Sequence, residues 1–131
     1  MKLTSGTITI PIERDGVMTG TVTLNPEDVG FAERFYALTE GLRERERAYN
    51  ALLENVDVQL GDKLRYLGEV CSWMKEQMDS VFGVGCSEAV FGEGCTLELF
   101  RQFFAGIEPI IRKSRSSKVQ KYTGDSGDVM E

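Results

Sequence analysis

The chain has 131 residues, a formal net charge of −6, 41% hydrophobic and 27% charged residues, three cysteines and no histidine. That length suits one domain with one modest core, and that composition is too apolar for a disordered chain. The lack of histidine removes the commonest general base, no G-x-S-x-G, H-E-x-x-H or dinucleotide fingerprint occurs, and no apolar run approaches the roughly 20 residues that span a bilayer.

At the N-terminus Ile8, Ile10 and Ile12 alternate with Thr7 and Thr9, and Met18, Val22 and Leu24 share one parity. Period two predicts strands, giving a β-hairpin over 6–24. A three-residue loop Arg14-Asp15-Gly16 sets Ile12 opposite Met18 and Ile8 opposite Val22, with one apolar face. A two-residue Asp15-Gly16 loop would set Ile8 against Thr23 and is set aside on that ground. A lone hairpin is marginal in water, so it must pack on the helices or on a neighbouring sheet.

Asn25 as cap, Pro26 at the first helical position, Glu27 and Asp28 at the positive dipole end and Leu24 stapled to Val29 predict a helix from 26. Phe31, Phe35, Leu38, Leu42, Tyr49, Leu52 and Val56 follow at spacings of three or four, with Arg45 as the interruption. A second series, Leu60, Leu64, Leu67, Cys71, Met74, Met78 and Val81, predicts another long helix. Asn55, Asp57 and Gly61 favour a break, hence helices over 26–54 and 58–82 in an antiparallel hairpin. One kinked helix over 26–82 is the alternative. The glycine-rich stretch 83–94 lacks the phosphate-loop pattern and holds no Lys or Arg, so it reads as a compact turn docking Val90 and Phe91. Thr96 then caps a third helix over 96–114, which Pro109 should bend or break.

The expected fold class is mainly α with a small β part: an N-terminal β-hairpin, a long antiparallel helical hairpin and a third C-terminal helix. The hairpin at 6–24 and helices within 26–114 form a single α-rich domain over 1–122, followed by a disordered acidic tail at 123–131. The expected core holds Phe31, Phe35, Leu38, Leu42, Leu64, Leu67, Cys71, Met74, Phe100, Phe104 and Ile107. Cys71, Cys86 and Cys95 form no C-x-x-C pair and read as three reduced thiols, although Cys86 and Cys95 flank one loop and could oxidise together. No catalytic residue, no metal site and no cofactor is expected.

Charge is divided along the chain. Residues 1–111 hold ten Lys or Arg against eighteen Asp or Glu, residues 112–122 five against none, and residues 123–131 none against three. Arg112, Lys113, Arg115, Lys118 and Lys121 are therefore the candidate partner-binding residues, fitted to an acidic protein surface. Nucleic acid is a weaker fit, because the remaining charge of −11 would repel phosphates and only Tyr122 lies nearby to stack.

The blocks NPEDVGFAERFYAL at 25–38, VCSWMKEQMDSVFGVGCSEAVFG at 70–92 and CTLELFRQFFAGIEPIIRKSRSSKVQKYT at 95–123 resemble a family of small proteins from tailed phages and prophages of Gram-positive bacteria. That family is similar in size and setting to tail assembly chaperones and other small tail-module proteins. The resemblance implies a non-enzymatic protein that binds a phage tail protein, with the tape measure first among candidates. The N-terminus MKLTSGTITIPIE lacks the charged start and apolar block of a signal peptide, which predicts a cytosolic protein, and the resemblance makes that the cytoplasm of a bacterial host, or the virion if the protein is instead a structural tail or neck component forming a ring. A nucleic-acid-binding regulator is the third reading. A homo-oligomer is expected, a dimer foremost, because the two long stripes offer more apolar length than a third helix can cover.

Overall fold

A computed structural model describes the backbone of residues 1–130 and the side chains of residues 1–113. The order is β1 (Ile8–Arg14), β2 (Val17–Leu24), α1 (Val29–Glu54), α2 (Leu60–Phe82), α3 (Cys86–Phe91) and α4 (Leu97–Met130). The expected class, mainly helical with an N-terminal β-hairpin, is what the chain adopts.

The hairpin register differs from the expected one. Arg14 pairs with Val17, so the loop is the two-residue Asp15-Gly16 turn, with φ of 53° and 80° at those residues. Positive φ at both central positions suits the twist of the strands, and only Gly tolerates it freely. What rescues the apolar face is a bulge: Glu13 faces Met18 while Ile12 faces Gly20, leaving Thr19 as the extra residue. The shift places Ile10 opposite Val22 and Ile8 opposite Leu24. Val22 and Leu24 are buried, whereas Met18 turns out to solvent. A bulge adjusts parity inside a strand, which the alternation of residues alone does not reveal.

Helix α1 starts three residues later than the sequence suggests. Asn25 Oδ1 accepts from Glu27 N (3.0 Å) within a turn, and Asp28 Oδ2 accepts from Phe31 N (2.8 Å) as the true N-cap. Pro26 is fully buried and Val29 is exposed, so the Leu24–Val29 staple does not form. The break between the long helices is real: α1 is capped by Asn55, whose side chain accepts from Asp57 N (3.0 Å), and α2 begins after Gln59. The alternative of one kinked helix is excluded. The pairing of Phe31 with Phe82, Gly41 with Trp73 and Leu53 with Lys63 shows that α1 and α2 run antiparallel.

The core sits at the base of this helical hairpin. Phe82 is buried at the centre of a ring cluster, edge-on to Phe31 (6.1 Å), Phe35 (6.1 Å) and Phe103 (5.1 Å), while Phe35 stacks on Phe104 (5.5 Å). Helix α3 fills the space between this cluster and the sheet and buries Val90 and Phe91 as expected. Thr96 Oγ1 accepts from Leu99 N (3.1 Å), capping α4. Pro109 does not end α4, which continues to Met130 and so passes the expected end near 114. Buried Ile107 and Ile111 anchor the turns on either side of it. Of the expected core, Phe31, Leu38, Met74, Phe100 and Ile107 are buried; Phe35, Leu42, Leu67, Cys71 and Phe104 are half-buried; Leu64 is exposed. The expected disordered acidic tail at 123–131 falls where side chains lie outside the described residues.

Gly68 lies in the exposed interior of α2, with nothing within 4 Å of a built Cβ. Gly68→Ala should therefore raise stability by about 0.5–1 kcal/mol through helix propensity. At Gly41 a Cβ would lie 2.6 Å from two Trp73 ring atoms, so Gly41→Ala should give no such gain. Paired urea denaturation curves check both.

Candidate interaction surfaces

Along the α1–α2 seam the side chains change character from base to tip. In the middle, Arg45 fills the position that interrupts the apolar stripe by laying its guanidinium 3.6 Å from the Trp73 ring centroid and donating to Gly41 O (3.1 Å). The Arg side chain thus covers an aromatic face that would otherwise be wet. Its neighbour Arg43 pairs with Glu40 at 3.2 Å on the solvent face, a contact of small energetic value.

Beyond Tyr49 and Leu67, α4 no longer lines the hairpin. Leu53 (50%), Val56 (92%), Leu60 (71%) and Leu64 (56%) are exposed large apolar residues at the tip. Leu60 and Leu64 continue the stripe of α2, Leu53 sits beside Leu52 of the α1 stripe, and Val56 lies in the connection between the helices, so an apolar surface is left where the third helix does not reach. Between tip and core, Leu42, Tyr49, Leu67 and Val70 of the hairpin and Leu97 and Phe100 of α4 line a shallow apolar groove.

Of the expected partner-binding residues, Arg112 and Lys113 are exposed on α4, and Arg112 is held by Glu108 one turn earlier. Arg115, Lys118 and Lys121 lie outside the residues whose side chains are described. The basic segment is separate from the apolar tip along the chain and follows the turn anchored by Ile111 in the core.

The polar cluster nearest the core is Asp79, Ser87 and Cys86. Asp79 accepts from Ser87 N (2.8 Å) and from Ser87 Oγ (3.1 Å), and so caps α3 across from α2. Burial pushes the Cys86 thiol up from 9.0 to about 12, and the Asp79 carboxylate adds to the shift. A thiol held neutral in this way is a packing group rather than a nucleophile. The fold favours the neutral form, so this contribution to stability is complete below about pH 9 and is lost as pH rises toward about 12. The urea midpoint should therefore fall more steeply between pH 9 and pH 11 in the wild type than in Cys86→Ala, and Cys86 should resist alkylation at pH 8 until the chain unfolds. Among the described residues, no group of three His, Cys, Asp or Glu side chains could hold a metal ion, and no helix is long and apolar enough to cross a membrane.

Sequence reasoning missed one covalent feature. Cys71 and Cys95 form a disulfide, with Cα atoms 6.3 Å apart, so the expectation of three reduced thiols is corrected; only Cys86 is free. Nothing in the spacing indicates this pair, because it forms only when α3 folds back and brings the start of α4 beside the middle of α2.

No curated protein and no solved structure matches the chain. A family model does match, over residues 18–127, from the second strand of the hairpin through the helical body. The chain therefore belongs to the family of unknown function DUF6673.

Proposed function

We propose that the protein is a non-enzymatic assembly protein of a phage or prophage, which binds a tail structural protein and keeps it soluble until it is built into the tail. A tape-measure chain is the first candidate, because a long helix can lay apolar residues into an apolar helical surface. The observation that carries this reading is the uncovered tip formed by Leu53, Val56, Leu60 and Leu64, which extends a helical seam with no third helix over it. The basic segment from Arg112 to Lys121 supplies a second contact, steering an acidic stretch of the partner toward the body. The resemblance of the 25–38, 70–92 and 95–123 blocks to small phage tail-module proteins supports the setting.

Co-expression with the neighbouring tape-measure protein tests the reading. The expected result is a retained complex and a soluble partner, with Leu53→Asp and Leu60→Asp cutting retention at least tenfold while leaving the fold intact. A partner equally soluble with and without this chain, and no complex on a column, would overturn it. The second reading, a structural ring component of the tail or neck, is favoured by the two-stranded sheet, whose outer edges are unpaired among the described residues. Mass spectrometry of purified particles separates the two, since an assembly factor is absent from finished virions and a ring subunit is present at fixed copy number. In either reading self-association follows, a dimer first, and light scattering above the 14.6 kDa monomer mass at micromolar concentration checks it.

A further inference from the structure

The Cys71–Cys95 bond sits at a mechanically sensitive place. Cys71 lies in the middle of α2, and Cys95 immediately precedes Thr96, the residue whose hydroxyl caps α4. The bond spans a sequence separation of 24 residues that includes α3 and the Gly92-Glu93-Gly94 connection. Past the bond, the described ring contacts of α4 with α1 and α2 begin only at Phe103 and Phe104, two turns into the helix. The first turn carries exposed Leu97 and ends at Phe100, which is buried in the core, and the two form one wall of the apolar groove facing Leu42, Tyr49, Leu67 and Val70. Both bonded cysteines are half-buried rather than sealed. The third cysteine is buried and free, and its neutral thiol does not compete in exchange.

We propose that the Cys71–Cys95 disulfide is a redox-controlled strap, whose reduction releases the first turn of α4 from α2 and opens the apolar groove lined by Leu67, Val70, Leu97 and Phe100. The reductant is a low-molecular-weight thiol of the glutathione class. Its thiolate attacks one sulfur, forming a mixed disulfide and freeing the other protein sulfur as a thiolate. A second thiolate then attacks the reagent sulfur of the mixed disulfide, so the protein gains two electrons and two protons and two reagent thiols become one disulfide. The Gly92-Glu93-Gly94 connection lets the freed turn move while Phe103, Phe104 and Ile107 keep the rest of α4 docked. This inference stands apart from the identity of any partner.

The test uses the full chain equilibrated across ratios of reduced to oxidised glutathione, then quenched with an alkylating reagent and weighed. The expected result is a two-state titration in which two alkyl groups are added together and Cys86 stays unmodified in the native state. Amide exchange over 96–102 should accelerate at least tenfold in the reduced form, with exchange in 74–82 unchanged. Cys95→Ser and Cys71→Ser should show the fast exchange at every glutathione ratio; because the wild-type titration needs no variant, a poorly folded one does not weaken the test. Two free thiols at these positions under oxidising buffer would overturn the proposal. So would a bond that survives fully reducing glutathione, or reduction with no change in exchange over 96–102.

Discussion

Phe82→Ala is expected to lower stability by about 3–5 kcal/mol, the range for truncating a buried aromatic ring. Phe82 is 1% exposed and is the ring that Phe31, Phe35 and Phe103 share, so it joins α1, α2 and α4 at one point. Its removal leaves a cavity whose walls belong to three helices, and three helices cannot all move inward to fill it. Domains of this kind have about 5–15 kcal/mol in total, so the variant should lie near the edge of folding. Urea denaturation measures it: the midpoint should fall sharply with the slope unchanged. Leu60→Ala at the exposed tip should change stability by less than about 0.5 kcal/mol in the same assay. A loss below about 1 kcal/mol in Phe82→Ala would mean that the ring cluster does not hold the helices together.

Asp79→Ala should cost about 1.5–3 kcal/mol, as expected for removing a charged acceptor from partly buried donors. Its carboxylate takes two hydrogen bonds from Ser87, one from the backbone and one from the hydroxyl, and Ser87 is only 8% exposed. Without it the start of α3 keeps a backbone donor that water reaches poorly. The consequence should spread to the sheet, because α3 holds the hairpin through Thr19 Oγ1 donating to Ala89 O (2.6 Å) and Arg14 Nη1 donating to Glu88 O (3.4 Å). Asp79→Asn keeps one acceptor oxygen and should cost less, and Ser87→Ala, which loses the hydroxyl alone, least. Denaturation midpoints in that order, with faster amide exchange in Val17–Leu24 for Asp79→Ala, support the account. Equal losses in Ser87→Ala and Asp79→Ala would contradict it.

The periodicities by themselves determined the class of fold: period two over 8–24, spacings of three and four over 31–56, 60–81 and 97–111, and the turn chemistry of Asn55 and Asp57, which favoured a break between two long helices without excluding one kinked helix. These are local signals, since each residue's own neighbours decide which face it takes. Tertiary structure decided what depends on residues distant in sequence. The bulge at Thr19 sets the strand register because its hydroxyl finds Ala89 O in α3, 70 residues away. Asp28 replaces Asn25 as the cap while Pro26 is drawn into the core. Cys71 and Cys95 meet only after α3 has turned the chain back. The candidate surface divides in the same way. The stripes contain Val56, Leu60 and Leu64 but not Leu53, and the exposure of all four follows from where α4 crosses the hairpin, which no spacing within α1 or α2 encodes.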